Sequence, residues 1–299
     1  MTHALATGKT IASKYPSLGS AVVTGRVPIG RMLGLVVGEA GAGKSFLLQS
    51  NPNAFIINLD GTPAVCPTSE AVMWPIPGPD GRPTDERGNP IVLTWKLVEE
   101  KQKQLIDLAV RNQPRPETVV IDTLGAALRL LRPHVASLYG REQFHEIDGR
   151  LGWERLFDTL IEYGQSLRRH GYGVYYIAHL SRKHIPLSEQ QHVEEYKILI
   201  SDGLYARMFP MFDLVVPITT VWDIREEVNE VEVKIGDRVI KKNNVTSRRV
   251  REHFATFSNP KLEGIAKVRT LQPMETLKLP TEGAWAALQA AYESANAPR

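Results

Sequence analysis

The sequence predicts an α/β fold with a mostly parallel central sheet flanked by helices, and three observations carry that prediction. Short apolar runs without polar alternation recur along the chain: Leu33 to Val37, Ala54 to Leu59, Val119 to Ile121 and Gly173 to Ala178. Strands buried on both faces read in this way. Segments with helical spacing separate the runs, as parallel strands with crossover helices require. Finally, the first run passes through Gly38-Glu39-Ala40-Gly41-Ala42-Gly43-Lys44-Ser45 into Phe46-Leu47-Leu48-Gln49, a strand, a glycine-rich turn and a helix start.

The elements follow in order. Residues 1–30 hold Gly, Pro and scattered apolar positions and are expected to wrap the core. The first strand and its turn occupy 33–45, and the second strand ends at Asp60. Residues 61–92 carry Pro75, Pro77, Pro79 and Pro83, so an insertion or long loop is expected, because helices and central strands exclude that much proline. Thr94 to Asn112 has Trp95, Val98, Leu105 and Leu108 at helical spacing. A third strand ends at Asp122, a helix covers 124–132, and 133–150 is polar and mixed. A helix from about Trp153 to Arg169 leads to the fourth strand, and Asp213 to Ile218 reads as a fifth. Val231, Val233 and Ile235 alternate before Gly236-Asp237, a hairpin signal. Ile265 to Val268 reads as a late strand, and Thr281 as the cap of a last helix over about 281–296.

The chain has 299 residues, 42% hydrophobic and 23% charged, which suits one elaborated domain over 1–299 with its core at about 30–270. A net charge of +3 permits a polyanionic partner without demanding one. The single cysteine, Cys66, excludes an intramolecular disulfide and a Cys-rich zinc site. No apolar run approaches a membrane span, and the polar N-terminus lacks a signal-peptide core, so a soluble, cytoplasmic protein without a membrane partner is expected.

Gly38 to Ser45 reads G-x-x-x-x-G-K-S, a phosphate-binding loop. Glycines let the backbone curl so that N–H groups point inward at an anion. Gly38, Glu39, Ala40, Gly41, Ala42, Gly43, Lys44, Ser45 and Phe46 are therefore the expected nucleotide-binding set. Lys44 would reach the β- and γ-phosphates, and the Ser45 hydroxyl would ligate Mg²⁺. Asp122, closing an apolar strand, is the expected second Mg²⁺ group, since a hard cation prefers oxygen; a helix N-cap is its plainer role. Asp60, also at a strand end, is placed to orient or deprotonate a water, although Asp60-Gly61 is equally a turn dipeptide. His179, closing the fourth strand, is placed to bond a γ-phosphate.

These motifs in this order resemble the RecA-like P-loop ATPase superfamily, with Ala178-His179 and the late Lys267-Val268-Arg269 adding to the match. The resemblance covers about residues 30–270. It implies ATP and Mg²⁺ as cofactors and Asp60 as the water-activating acid, where most relatives have glutamate. It also implies His179 at a position that usually holds glutamine. Lys267 and Arg269 look like the finger of ring or filament members, which reaches a neighbour's γ-phosphate, so a homo-oligomer is implied. Alternating solvent-facing charges on an edge strand are the bland alternative. In size and layout the chain is similar to phage-encoded proteins that consist of a RecA core and act in single-strand annealing or recombination; the compartment would then be the host cytoplasm. Hexameric replicative helicases share a stretch like Ala178-His179-Leu180-Ser181-Arg182-Lys183. A nucleotide-gated assembly protein is the alternative without DNA-directed work. The resemblance places single-stranded DNA on loops 133–150 and 181–210, with Arg182, Lys183, Tyr205 and Arg207 as candidates. A second basic cluster runs from Arg238 to Arg251.

Overall fold

The structure is a computed structural model that describes residues 27–66, 68–188, 191–235, 238–257, 262, 265–268 and 273–297; for 183–188, 191–195, 225–235 and 238–248 it describes the backbone. Strand β1 (Leu33–Gly38) leads through the glycine-rich loop to α1 (Lys44–Gln49) and β2 (Ala54–Asn58). Three short strands follow: β3 (Val72–Trp74), β4 (Ile76–Pro77) and β5 (Pro83–Thr84). Next come α2 (Trp95–Val110), β6 (Thr118–Asp122), α3 (Leu124–Leu138), α4 (Gly149–Arg169), β7 (Gly173–Ser188) and β8 (Gln191–Ile198). The chain continues with α5 (Asp202–Met208), β9 (Leu214–Ile235), β10 (Arg238–Ala255), β11 (Lys267–Val268), β12 (Leu277–Leu279) and α6 (Ala284–Ala295).

The main sheet runs β12-β10-β9-β1-β7-β6-β2-β3, and the six strands from β9 to β3 are mutually parallel. This is the mostly parallel, helix-flanked sheet that the apolar runs predict. Successive residues of each strand enter opposite cores. Leu35, Val37, Ile57, Val119, Ile121 and Tyr176 pack under α2, α3 and α4. Val36, Ile56, Val120, Tyr175 and Ile177 pack with α1 and with Trp285, Leu288 and Tyr292 of α6. The ring of Tyr175 fills the space a Cβ on Gly34 would take, so this position of β1 admits only glycine. The Tyr175 hydroxyl donates to Ile29 O at 2.5 Å.

Several elements depart from the sequence reading. The proline-rich stretch is more than a loop: β3 extends the sheet beside β2, and β4 pairs β5. Pro77 and Pro83 sit opposite each other in this separate two-stranded hairpin, where a missing N–H costs little. Helix α3 runs through Pro133 to Leu138 instead of stopping at 132. Burial of Leu131, Val135 and Ala136 outweighs a proline cost of about 3 kcal/mol. Helix α4 begins at Gly149, where the Asp148 side chain accepts from Arg150 N and Leu151 N. Thr281 does not cap α6; Gly283 does, at φ 67°, and Ser50 Oγ accepts from Trp285 N at 2.8 Å.

The largest departure lies beyond the sheet. The expected fifth strand and the later hairpin are one continuous ribbon, β9 with β10, paired from Ile218↔Ala255 to Ile235↔Arg238. Strand β7 likewise runs on past His179 and pairs β8 from Leu180↔Ile198. Both ribbons leave the C-terminal edge of the sheet from the two neighbours of β1. No helix among the described residues is long and apolar enough to cross a membrane.

Candidate active site

Sheet register brings the site together. At the C-terminal edge Gly38 pairs with His179 on one side and Ile218 on the other, and Asn58 pairs with Asp122. The ends of five parallel strands therefore meet along one edge, where open α/β sheets bind ligands. The cleft above them has a volume of about 360 Å³ and is lined by Gly41, Gly43, Lys44, Ser45, Phe46, Asp60, Asp122, Thr123, His179 and His253, among others.

Gly43 sits at φ 94°, and a Cβ there would press on the His253 ring. Lys44 follows at the start of α1, is 5% exposed, and folds back on its own loop. Its Nζ donates to Gly38 O at 2.9 Å and Glu39 O at 2.7 Å. Burial pulls its pKa down to about 8, although Asp122, Asp60 and Glu39 nearby favour the charged form. Ser45 Oγ donates to Asp122 Oδ2 at 2.8 Å.

Asp122 is 1% exposed. Its other oxygen, Oδ1, is buried without a hydrogen-bond partner among the described residues. Burial pushes the carboxyl up to about 6; Ser45 and Lys44 oppose the rise, and Asp60 adds to it. Thr123, not Asp122, caps α3, its side chain accepting from Ala126 N at 3.3 Å. Asp122 thus leaves the capping to its neighbour and keeps a carboxylate oxygen unmatched. An unmatched buried acceptor beside a serine hydroxyl fits a hard divalent cation such as Mg²⁺.

Asp60 stands next to it. Asp122 O accepts from both Leu59 N, at 2.6 Å, and Asp60 N, at 3.1 Å. Asp60 Oδ1 accepts from Arg129 Nη2 of α3 at 2.9 Å. His179 faces the same cleft, and burial, then the nearby Lys44, lowers its pKa, so the ring is neutral at neutral pH.

Sequence reasoning missed His253. Its Nδ1–H donates to Ala42 O at 2.8 Å, which ties β10 to the phosphate loop across 211 residues of sequence. Arg251, read only as part of a basic cluster, lies beside Gly41. The one available signal was the period-two spacing of Arg249, Arg251 and His253 along a strand.

The remaining candidates lie elsewhere. Lys267 is on β11, paired with Val215 in the lower half of β9. Its Nζ donates to Phe209 O and Pro210 O, each at 3.1 Å, before β9 begins. Arg269 lies outside the described residues. Arg182, where β7 enters its ribbon, pairs with Glu39 at 3.3 Å, at the mouth of the cleft. The Lys183 side chain lies outside the described residues. Tyr205 and Arg207 are on α5, which follows the ribbon: the Tyr205 ring packs on Phe209, and Arg207 pairs with Asp158 of α4 at 2.8 Å.

A family model described as AAA domain matches residues 31–249. Among curated proteins nothing matches the chain. Among solved structures, a KaiC-like protein from the hyperthermophilic archaeon Pyrococcus horikoshii OT3 is similar at 11% identity and a TM-score of 0.35, over 86% of this chain and 92% of that one. The family match runs from the start of β1 through the phosphate loop, Asp60, Asp122 and His179 into β10, most of the chain's length. The chain belongs to this AAA domain family, and it carries a P-loop ATPase domain with a mostly parallel, helix-flanked core.

Proposed function

We propose that the chain is a Mg²⁺-dependent ATPase that acts on single-stranded DNA, in recombination or strand annealing. The observation that supports the site reading most is the Ser45–Asp122 pair, with Asp122 Oδ1 unmatched, in the same cleft as Lys44. Ser45 and Asp122 would hold Mg²⁺, which supplies charge neutralisation on the phosphates when bound. Lys44 would leave its two loop carbonyls for phosphate oxygens. Asp60, oriented by Arg129, would hold the attacking water and take its proton as the water oxygen bonds to the γ-phosphorus and the bond to the bridging oxygen breaks. Neutral His179 would donate to the γ-phosphate.

The DNA part rests on the resemblance and on layout. Two β-ribbons rise on either side of the cleft, and one carries Arg238, Lys241, Lys242, Arg248 and Arg249. Cations along such arms suit a phosphate backbone. The test is ATP turnover with and without single-stranded DNA, for wild type and Lys44→Ala. Turnover that DNA stimulates and Lys44→Ala abolishes is expected. Turnover equal in the two proteins sinks the ATPase reading. With stimulation in hand, joining of complementary strands supports annealing, whereas unwinding of a forked duplex indicates a helicase. Slow, DNA-independent turnover with ATP-dependent particle growth indicates an assembly protein.

A further inference from the structure

We infer that Arg251 binds the triphosphate held by its own chain's phosphate loop, closing the loop in cis from the β9–β10 ribbon. This rests on the nucleotide site proposed above. The argument begins with register. Side chains two apart on a strand share a face, so His253 and Arg251 point the same way from β10. The His253 bond to Ala42 O fixes that face against the phosphate loop. One step further along the face, an Nη atom of Arg251 lies 3.0 Å from the point a Cβ on Gly41 would occupy. The guanidinium is thus held at the loop's rim, in space that a side chain at Gly41 would contest.

Its surroundings prepare it for an anion. Trp222, directly opposite Arg251 in the ribbon, stacks on the guanidinium, whose Cζ is 5.5 Å from the ring centroid. Among the described residues no carboxylate pairs with Arg251. The neighbouring Glu252 carboxylate, on the other face, pairs with Lys278. A guanidinium steadied by a ring, with no acid paired to it among the described residues, offers its forked donors to phosphate oxygens. Beside it, a cleft of about 390 Å³ between Phe46, Arg251, His253 and Leu279 leaves room for the rest of the nucleotide.

The experiment is calorimetric titration of MgATP into wild type, Arg251→Ala and Arg251→Lys, with turnover measured in mixtures with Lys44→Ala. Arg251→Ala is expected to weaken MgATP binding about tenfold or more. Arg251→Lys should fall between, since it keeps the charge and loses the fork. Mixing Arg251→Ala with Lys44→Ala should restore no turnover, because each nucleotide needs both residues from one chain. Unchanged thermal unfolding without nucleotide shows that Arg251→Ala is folded. Binding by Arg251→Ala within about twofold of wild type overturns the inference, as does turnover regained on mixing, which would place the guanidinium on a neighbour's nucleotide. Unchanged MgATP binding with lost single-stranded DNA binding overturns it too and assigns Arg251 to a nucleic-acid surface. If wild type itself binds no MgATP, the nucleotide site fails, and that result is distinct from the failure of Arg251 alone.

Discussion

The strand that carries the phosphate loop has opposite electrostatic neighbours on its two sides. Toward β7, β6 and β2 the sheet edge presents Asp122 and Asp60, with Ser45 already bonded to Asp122. Toward β9 and β10 it presents His253 and Arg251. Lys44 lies between them. The acid flank stands on parallel strand ends inside the core, while the basic flank stands on a ribbon whose exposed Trp222 and Ile224 face solvent. A metal–triphosphate carries both signs of charge, and in the proposed site it would meet both flanks. The difference lies in what holds each flank: the Ser45–Asp122 pair is built into the core, whereas Arg251 and His253 stand on a ribbon that projects from the sheet. The flanks should therefore fail differently when altered.

Breaking the acid flank at Asp122 should give the largest effect. Asp122→Asn is expected to lower turnover about 10³-fold, as the loss of a preorganised charge does, read by steady-state phosphate release. Without nucleotide the same variant should be more stable than wild type at pH 7. The sign follows from the raised pKa. The folded state holds the Asp122 proton up to about 6, whereas an unfolded chain releases it near the usual carboxylate range. Folded protein therefore binds more protons between about pH 4 and pH 6, and stability falls by about 3 kcal/mol as pH rises through that window. Asparagine does not titrate, so its urea-denaturation midpoint should lose this decline. An Asp122→Asn curve parallel to wild type would remove the claim that this carboxylate is buried against its own charge.

Asp60 tests whether the acid flank is one unit or two. It shares the cleft with Asp122 but is paired with Arg129 and its side chain is 32% exposed. Asp60→Asn is expected to lower kcat about 10²-fold and leave MgATP affinity unchanged, because a water-orienting acid acts on the chemical step. Stability should change by less than about 1 kcal/mol, the scale of an exposed ion pair. An equal loss of affinity would merge Asp60 with the metal group. Arg129→Ala should reproduce a weaker version of the kcat loss, since it leaves the carboxylate in place without its orienting partner.

The acid flank was legible in sequence and the basic flank was not, for a physical reason. Strands buried on both faces must be apolar throughout, so Val119-Val120-Ile121 announces its own end at Asp122, and the phosphate loop is contiguous. The Ala42–His253 contact depends instead on hairpin register across 211 residues, which no local pattern encodes. The ribbon itself was read as two pieces because Asp223 to Glu230 is charged on both faces, as a strand projecting from the sheet can be. Other misses were tertiary overrides: packing carries α3 through Pro133, and Ser50 supplies the bond that Thr281 was expected to supply.

The smallest effect on the site should come from the opposite end of the same strand. Asp213 Oδ2 accepts from Leu33 N at 3.1 Å and from Arg168 Nη2 at 2.9 Å, so one carboxylate ties β1, β9 and α4 together where β1 begins. Asp213→Asn keeps the shape and removes the charge, and it is expected to cost about 1–3 kcal/mol of stability, the range for losing a charge-assisted bond in a partly buried position. Because β1 is buried along its whole length and pinned by strands on both sides, that loss should not travel to Gly38. MgATP affinity within about twofold of wild type, beside a lowered unfolding midpoint, would show that both flanks are local to the C-terminal edge. A tenfold loss of affinity would mean that β1 transmits strain from one edge to the other, and the two flanks would then owe part of their geometry to an ion pair at the far side of the sheet.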